Sequence, residues 1–303
     1  MITTVLTVRG NTLFRHTAAC ACAALAVTAV AAAAPAQAAA RGPGRGHAAP
    51  ARAAAATPRG REWAAFAYYP PKNELVLFGG RRPGTIFRDT WTRTGTTWTL
   101  RNPTRSPSAR TGASMVFDPA SNQLLLFGGS ATTSTGFSNQ TWTWNGSNWT
   151  QLHPATSPPG REDQQMAYDA ATKTVILFTG FHGTGYWDDT WSWNGTTWTP
   201  LSPAHSPGID VFARQAAYDT ASNQLLLFGG DAGHNTFLNT IWTWTGTDWT
   251  QLSPATSPPP RAYGAMTFDS ATGQVVLFSG SENALQSFPT TTWAWNGSTW
   301  SQI

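Results

Sequence analysis

One motif recurs five times in this chain at intervals of about fifty residues. Each copy is an apolar run closed by glycine, then a tryptophan, then a second tryptophan seven positions on. The closing glycines are Gly80, Gly129, Gly180, Gly230 and Gly280. The pairs are Trp91/Trp98, Trp142/Trp149, Trp191/Trp198, Trp242/Trp249 and Trp293/Trp300. A fixed period of this length belongs to repeat architectures, where one unit cannot bury its apolar face alone and is stabilised by stacking on its neighbours.

The second copy shows what the unit is. Met115-Val116-Phe117-Asp118 reads as a short strand, and Pro119-Ala120-Ser121-Asn122 as a turn. Leu124-Leu125-Leu126-Phe127 is apolar throughout, so this strand needs cover on both faces. Thr141-Trp142-Thr143-Trp144 alternates with the period of two that a sheet strand requires. Asn145-Gly146 is a hairpin signal, and Trp149-Thr150-Gln151-Leu152 follows as a more polar strand suited to an exposed edge. No helical period is sustained after residue 61. The expected fold class is all-β: a β-propeller of five four-stranded blades.

The order apolar strand, Gly-Gly, aromatic, then Trp after six residues resembles the kelch repeat, over residues 61–303. Trp stands where the family usually has Tyr, and Thr179-Gly180 and Ser279-Gly280 replace the doublet in two copies. Arg93 replaces the extra tryptophan seen at Trp144, Trp193, Trp244 and Trp295. The resemblance implies kelch-like blades, in repeats 61–109, 110–160, 161–210, 211–260 and 261–303, closing as one ring in one chain. The repeats start and end in phase, so no terminal strand is shared between the first and last blades. The copper radical site of galactose-oxidase-like kelch enzymes needs a cysteine, and none follows Cys22.

Residues 1–38 read as a secretory signal peptide: Arg9, Arg15 and His16 precede an alanine-rich run that ends at Ala36-Gln37-Ala38. The competing reading is an uncleaved anchor, disfavoured because alanine is weakly lipophilic and Pro35 interrupts the run. Residues 39–60 read as a flexible Pro/Ala/Arg-rich linker. Both cysteines, Cys20 and Cys22, fall in the leader, so a mature chain outside the cell has neither disulfide nor thiolate. From Arg61 onward 13 basic residues face 15 acidic ones, a formal charge of −2. The overall charge of +4 therefore belongs to the leader and linker, and nucleic acid is not an expected partner.

Connectivity selects the functional face. In a four-stranded up-and-down blade the first–second and third–fourth turns lie on one face. The second–third loop and the link between blades lie on the other. Here the first set is short and alike, while loops 81–90, 130–141, 181–190, 231–241 and 281–292 differ between repeats. Phe87, Phe137, Trp187, Phe237 and Phe288 recur in those loops and so read as packing. His182, Tyr186, Asp188, Asp231 and His234 do not recur and belong to adjacent third and fourth blades. Arg81, Arg82, Arg88 and Glu282 are further non-recurring loop residues. Arg61, Arg110, Arg161 and Arg261 each lie eight residues before the end of the first strand, on the same face. This incomplete ring offers either an anion site or, more simply, a structural tie between blades through carbonyls; Val211 takes the place in the fourth repeat and Arg214 is displaced.

The expected function is that of a secreted, monomeric, non-enzymatic binding module for an extracellular protein or glycan, with no cofactor, no metal and no membrane contact after signal cleavage. The alternative is a carbohydrate-active enzyme, which needs two facing carboxylates; Glu162, Asp163 and Asp210 fall beside the channel mouth. A third reading is a structural module without a small ligand. Fourteen of the sixteen tryptophans follow the repeat, so blade packing accounts for them before sugar binding does.

Overall fold

A computed structural model describes residues 57–303, apart from 132–135, 209–213, 234–235 and 283–287. The segment read as a signal peptide lies outside the described residues, as do the linker up to residue 56, Asp210, Val211 and His234.

Five four-stranded antiparallel sheets follow one another along the chain as the blades of a β-propeller. Blade one is Ala65–Tyr69, Glu74–Phe78, Thr90–Thr94 and Thr97–Arg101. Blade two is Thr111–Asp118, Gln123–Ser130, Thr141–Trp144 and Trp149–Leu152. Blade three is Gln165–Asp169, Thr174–Phe178, Thr190–Trp193 and Trp198–Leu201. Blade four is Gln215–Asp219, Gln224–Phe228, Ile241–Trp244 and Trp249–Leu252, and blade five is Ala265–Asp269, Gln274–Phe278, Thr292–Trp295 and Trp300–Gln302. Strands within each blade are in sequence order, and first strands of successive blades meet at the centre. A two-stranded ribbon, Arg81–Arg82 with Thr85–Ile86, extends the first loop. No helix among the described residues is long and apolar enough to cross a membrane.

The turns form for local reasons. Asp118 accepts from the Ala120 amide and the Ser121 hydroxyl, and Asp169, Asp219 and Asp269 repeat this turn. Asn145 Oδ1 accepts from the amides of Ser147 and Asn148 at 3.0 and 2.9 Å, leaving Gly146 at φ 88°. Asn194 and Asn296 do the same.

The core is cut into slices, one between each pair of successive blades. Val76 and Phe78 of blade one pack against Leu124, Leu126 and Trp149 of blade two, and three equivalent slices follow. At each, the phenylalanine ending a second strand meets the second tryptophan of the next blade: Phe78–Trp149, Phe127–Trp198, Phe178–Trp249 and Phe228–Trp300, with centroids 5.1–5.4 Å apart. No such slice joins blade five to blade one among the described residues. There Phe66 and Tyr68 are 38% and 48% exposed, and Trp98, Val276 and Phe278 are half-buried.

Candidate functional site

Where the chain enters each first strand, it bends through the left-handed region at Trp63, Gly112, Asp163 and Tyr263 (φ 53–65°). The bends are laced together around the axis. The Gly112 amide donates to Trp63 O at 2.9 Å, and the Asp163 amide to Gly112 O at 2.8 Å. Immediately before each bend sit the arginines singled out by spacing.

Their guanidinium groups are occupied within their own blades. Arg161, fully buried, donates Nη1 to Thr179 O at 2.9 Å and grips Asp189 through both nitrogens, Nη2 to Oδ2 at 2.7 Å. Arg61 makes the same fork with Asp89 and donates to Gly79 O at 2.9 Å. Arg110 reaches Gly128 O at 3.0 Å and Gln140 Oε1 at 2.7 Å; with no acid beside it, burial pulls its pKa down to about 10. Arg261 reaches Ser279 O at 3.1 Å and Glu282 Oε1 at 2.8 Å. Each side chain thus ties the end of its blade's second strand to the loop that follows. The tie between blades runs through the arginine backbone instead. Gly80, Gly129 and Gly230 amides donate to the carbonyls of Arg110, Arg161 and Arg261 at 2.8–2.9 Å. The displaced Arg214 is buried, donates to Pro207 O at 2.5 Å, and has its pKa pulled down to about 10 by burial against the opposing field of Asp188.

The non-recurring residues divide into two groups. Tyr186 lies tilted against Phe181 with centroids 5.2 Å apart, and Phe181 meets Phe137 of blade two edge-on at 5.6 Å. His182 lies against Trp187 at 4.6 Å, and the Arg161 guanidinium sits over the same indole at 5.4 Å. These aromatics are half-buried, so the loop face carries an aromatic row across blades two and three. The second group is acidic. Asp188 accepts from the Ser206 hydroxyl on the link to blade four. Its pKa is raised, chiefly by burial, with Ser206 and Arg214 opposing and Asp189 adding to the rise. Asp231 accepts from the Gly233 amide at 2.8 Å, and burial likewise raises its pKa. The contacts of Asp188 run to blade four, while those of Asp231 fold back onto its own loop.

Blade one has a cluster that spacing alone did not assemble. Arg81 donates Nε to Glu62 Oε1 at 2.8 Å and lies 3.9 Å above the Trp63 ring. Trp63 departs from the repeat pattern, and that departure was the available signal. Four acids on this face are engaged with arginine: Glu62 with Arg81, Asp89 with Arg61, Asp189 with Arg161 and Glu282 with Arg261. Burial pushes Asp89 up, but hydrogen bonds from Arg61 and Trp91 outweigh it and hold the carboxyl below its ordinary range. Among the described residues no three His, Cys, Asp or Glu gather where they could hold a metal ion. No family model matches this chain, and no curated protein matches it.

Proposed function

We propose that this is a secreted kelch-type propeller acting as a binding module for an extracellular protein or glycan, with the ligand on the loop face. The observation that carries the reading is the aromatic row Phe137–Phe181–Tyr186, with His182 on Trp187 beside it. Half-buried rings with polar groups at their edges suit a sugar face or a protein side chain. The opposite face presents short turns, most of them Asx turns repeated from blade to blade. The pairing of four loop-face acids with arginine takes those carboxylates out of reach of catalysis. Export rests on the leader sequence and on the lack of cysteine after Cys22.

One observation favours a second reading, a glycosidase-like enzyme. Asp188 and Asp231 are carboxyls whose pKa burial raises, as a general acid requires. A glycan array on the secreted protein, followed by paired variants, separates the readings. The double variant Asp188→Ala/Asp231→Ala should weaken binding about tenfold or more, while Asn145→Ala/Asn194→Ala should not. Loss of binding only in the hairpin pair would overturn the assignment of the face. Turnover of a bound glycan, abolished by Asp188→Asn or Asp231→Asn with binding kept, would establish the enzyme instead. No ligand among the arrayed glycans or secreted proteins would put the structural-module reading first.

A further inference from the structure

Charge is spread unevenly over the five repeats. Residues 61–109, the first repeat, hold eight basic residues and three acidic ones, a formal charge of +5. Residues 110–303 hold five basic and twelve acidic residues, a formal charge of −7. The near-neutral total hides a molecule with one basic blade and an acidic remainder.

Burial and pairing decide which of these charges face solvent. Beyond blade one, Arg110, Arg161, Arg214 and Arg261 are at most 4% exposed and hydrogen-bonded within the fold, and Lys173 falls in a turn on the opposite face. In blade one all three acids are matched: Glu62 by Arg81, Glu74 by Arg101 and Asp89 by Arg61. Four further arginines, Arg59, Arg82, Arg88 and Arg105, are exposed, and among the described residues none has a side-chain hydrogen bond or ion pair.

Backbone contacts bring these four to one edge of the loop face. The Ser106 hydroxyl donates to Arg88 O at 3.5 Å, which holds the link carrying Arg105 against the loop carrying Arg88. Arg61 donates Nε to Arg59 O at 3.1 Å while it grips Asp89, the residue after Arg88. Arg82 follows Arg81, whose amide and carbonyl both pair with the Glu62 backbone at 2.8 Å. The four guanidinium groups therefore stand on backbone that is tied to the blade.

We propose that this edge binds a linear acidic polysaccharide through Arg59, Arg82, Arg88 and Arg105, at a site separate from the aromatic row of blades two and three. A guanidinium meets a carboxylate or sulfate with two parallel N–H bonds, and four of them along one edge suit a chain of repeated anions. The acidic remainder of the molecule repels such a chain elsewhere and confines it to blade one. The rings of this loop favour a polysaccharide over other polyanions. Trp63 and Phe87 are half-buried, and each has a guanidinium over it at 3.9 Å, Arg81 on Trp63 and Arg61 on Phe87. A nucleic acid strand finds no open ring there for its bases, and a protein partner finds no apolar centre for an interface.

The test titrates the intact chain with polygalacturonate and with dextran sulfate, one carrying carboxylates and the other sulfates, beside neutral dextran and oligo(dT). At least one acidic polysaccharide should bind and neutral dextran should not; the tighter of the two identifies the preferred anion. The triple variant Arg82→Gln/Arg88→Gln/Arg105→Gln should bind about tenfold or more weakly, with a flatter salt dependence, because each exposed ion pair adds only a little. Its denaturation midpoint should match the parent's, since all three side chains are exposed. Lys173→Gln, which removes one charge from the opposite face, should bind as the parent does. Equal binding by the parent and the triple variant overturns the proposal, as does tighter binding of oligo(dT) than of either polysaccharide. So does salt-sensitive self-association that the triple variant loses, because the occupant is then the acidic blades of a second copy.

Discussion

Trp149 serves two neighbours at once. Its ring packs on Phe78 while its Nε1 donates to Thr90, so one side chain fills the slice and fixes its register. Trp149→Ala should lower stability by about 3–5 kcal/mol, the range for large buried aromatics, and Thr90→Val by about 1–2 kcal/mol, because it leaves a buried N–H without an acceptor. Denaturant unfolding measures both, and a loss below about 1 kcal/mol for the alanine variant would remove the packing role. Asp231 shows the opposite economy. Its pKa is raised on folding, so between the unfolded value, about 3.9, and the higher folded value the folded protein holds more protons. Stability therefore falls as pH rises through that window and stays lower above it. Asp231→Asn, which keeps the acceptor for Gly233, should be more stable than the parent at pH 7 and no different at about pH 3. Equal unfolding midpoints at pH 7 would contradict the burial. A carboxylate kept at this cost on the loop face is consistent with use for binding.

At the scale of the blade, the chain's strands and turns were legible because each depends on neighbours in sequence. Period-two alternation, the Asp-initiated turns and the Asn-Gly hairpins all appear where the residues imply. In sequence the ribbon Arg81–Arg82/Thr85–Ile86 looks only like loop, since two-residue strands leave no period to detect. Nor could sequence say which carbonyl each arginine reaches, because that depends on three strand ends meeting in space. Recurrence singled out Phe137 and Trp187, but gave no sign that Phe181 and Tyr186 join them in one half-buried row. The doublet glycines have a sharper reason than turn formation. Gly128 sits at φ 74°, and a Cβ there would lie 2.6 Å from Arg161 O. Gly128→Ala should cost roughly 1–3 kcal/mol from backbone strain alone, with the clash added, read as a lowered denaturation midpoint. A neutral result would mean that the blades do not approach as closely as described.

Over the whole molecule, stability is graded. Blade three is packed on both sides, while blades one and five each have one face less covered. Backbone exchange should be slowest in Thr174–Phe178 and faster in Glu74–Phe78 and Gln274–Phe278, and Arg93→Trp should narrow the difference. Uniform protection across these second strands would argue against the grading. The even number of strands per blade has one more consequence. It returns the chain to its starting face, so Arg61 near the axis and Gln302 at the rim both lie with the loops. The two lysines of the folded part, Lys72 and Lys173, both fall in first–second turns on the other side. Coupling to a sensor surface through lysine amines therefore leaves the loops outward, whereas a tether at Arg61 or Gln302 turns them toward the support.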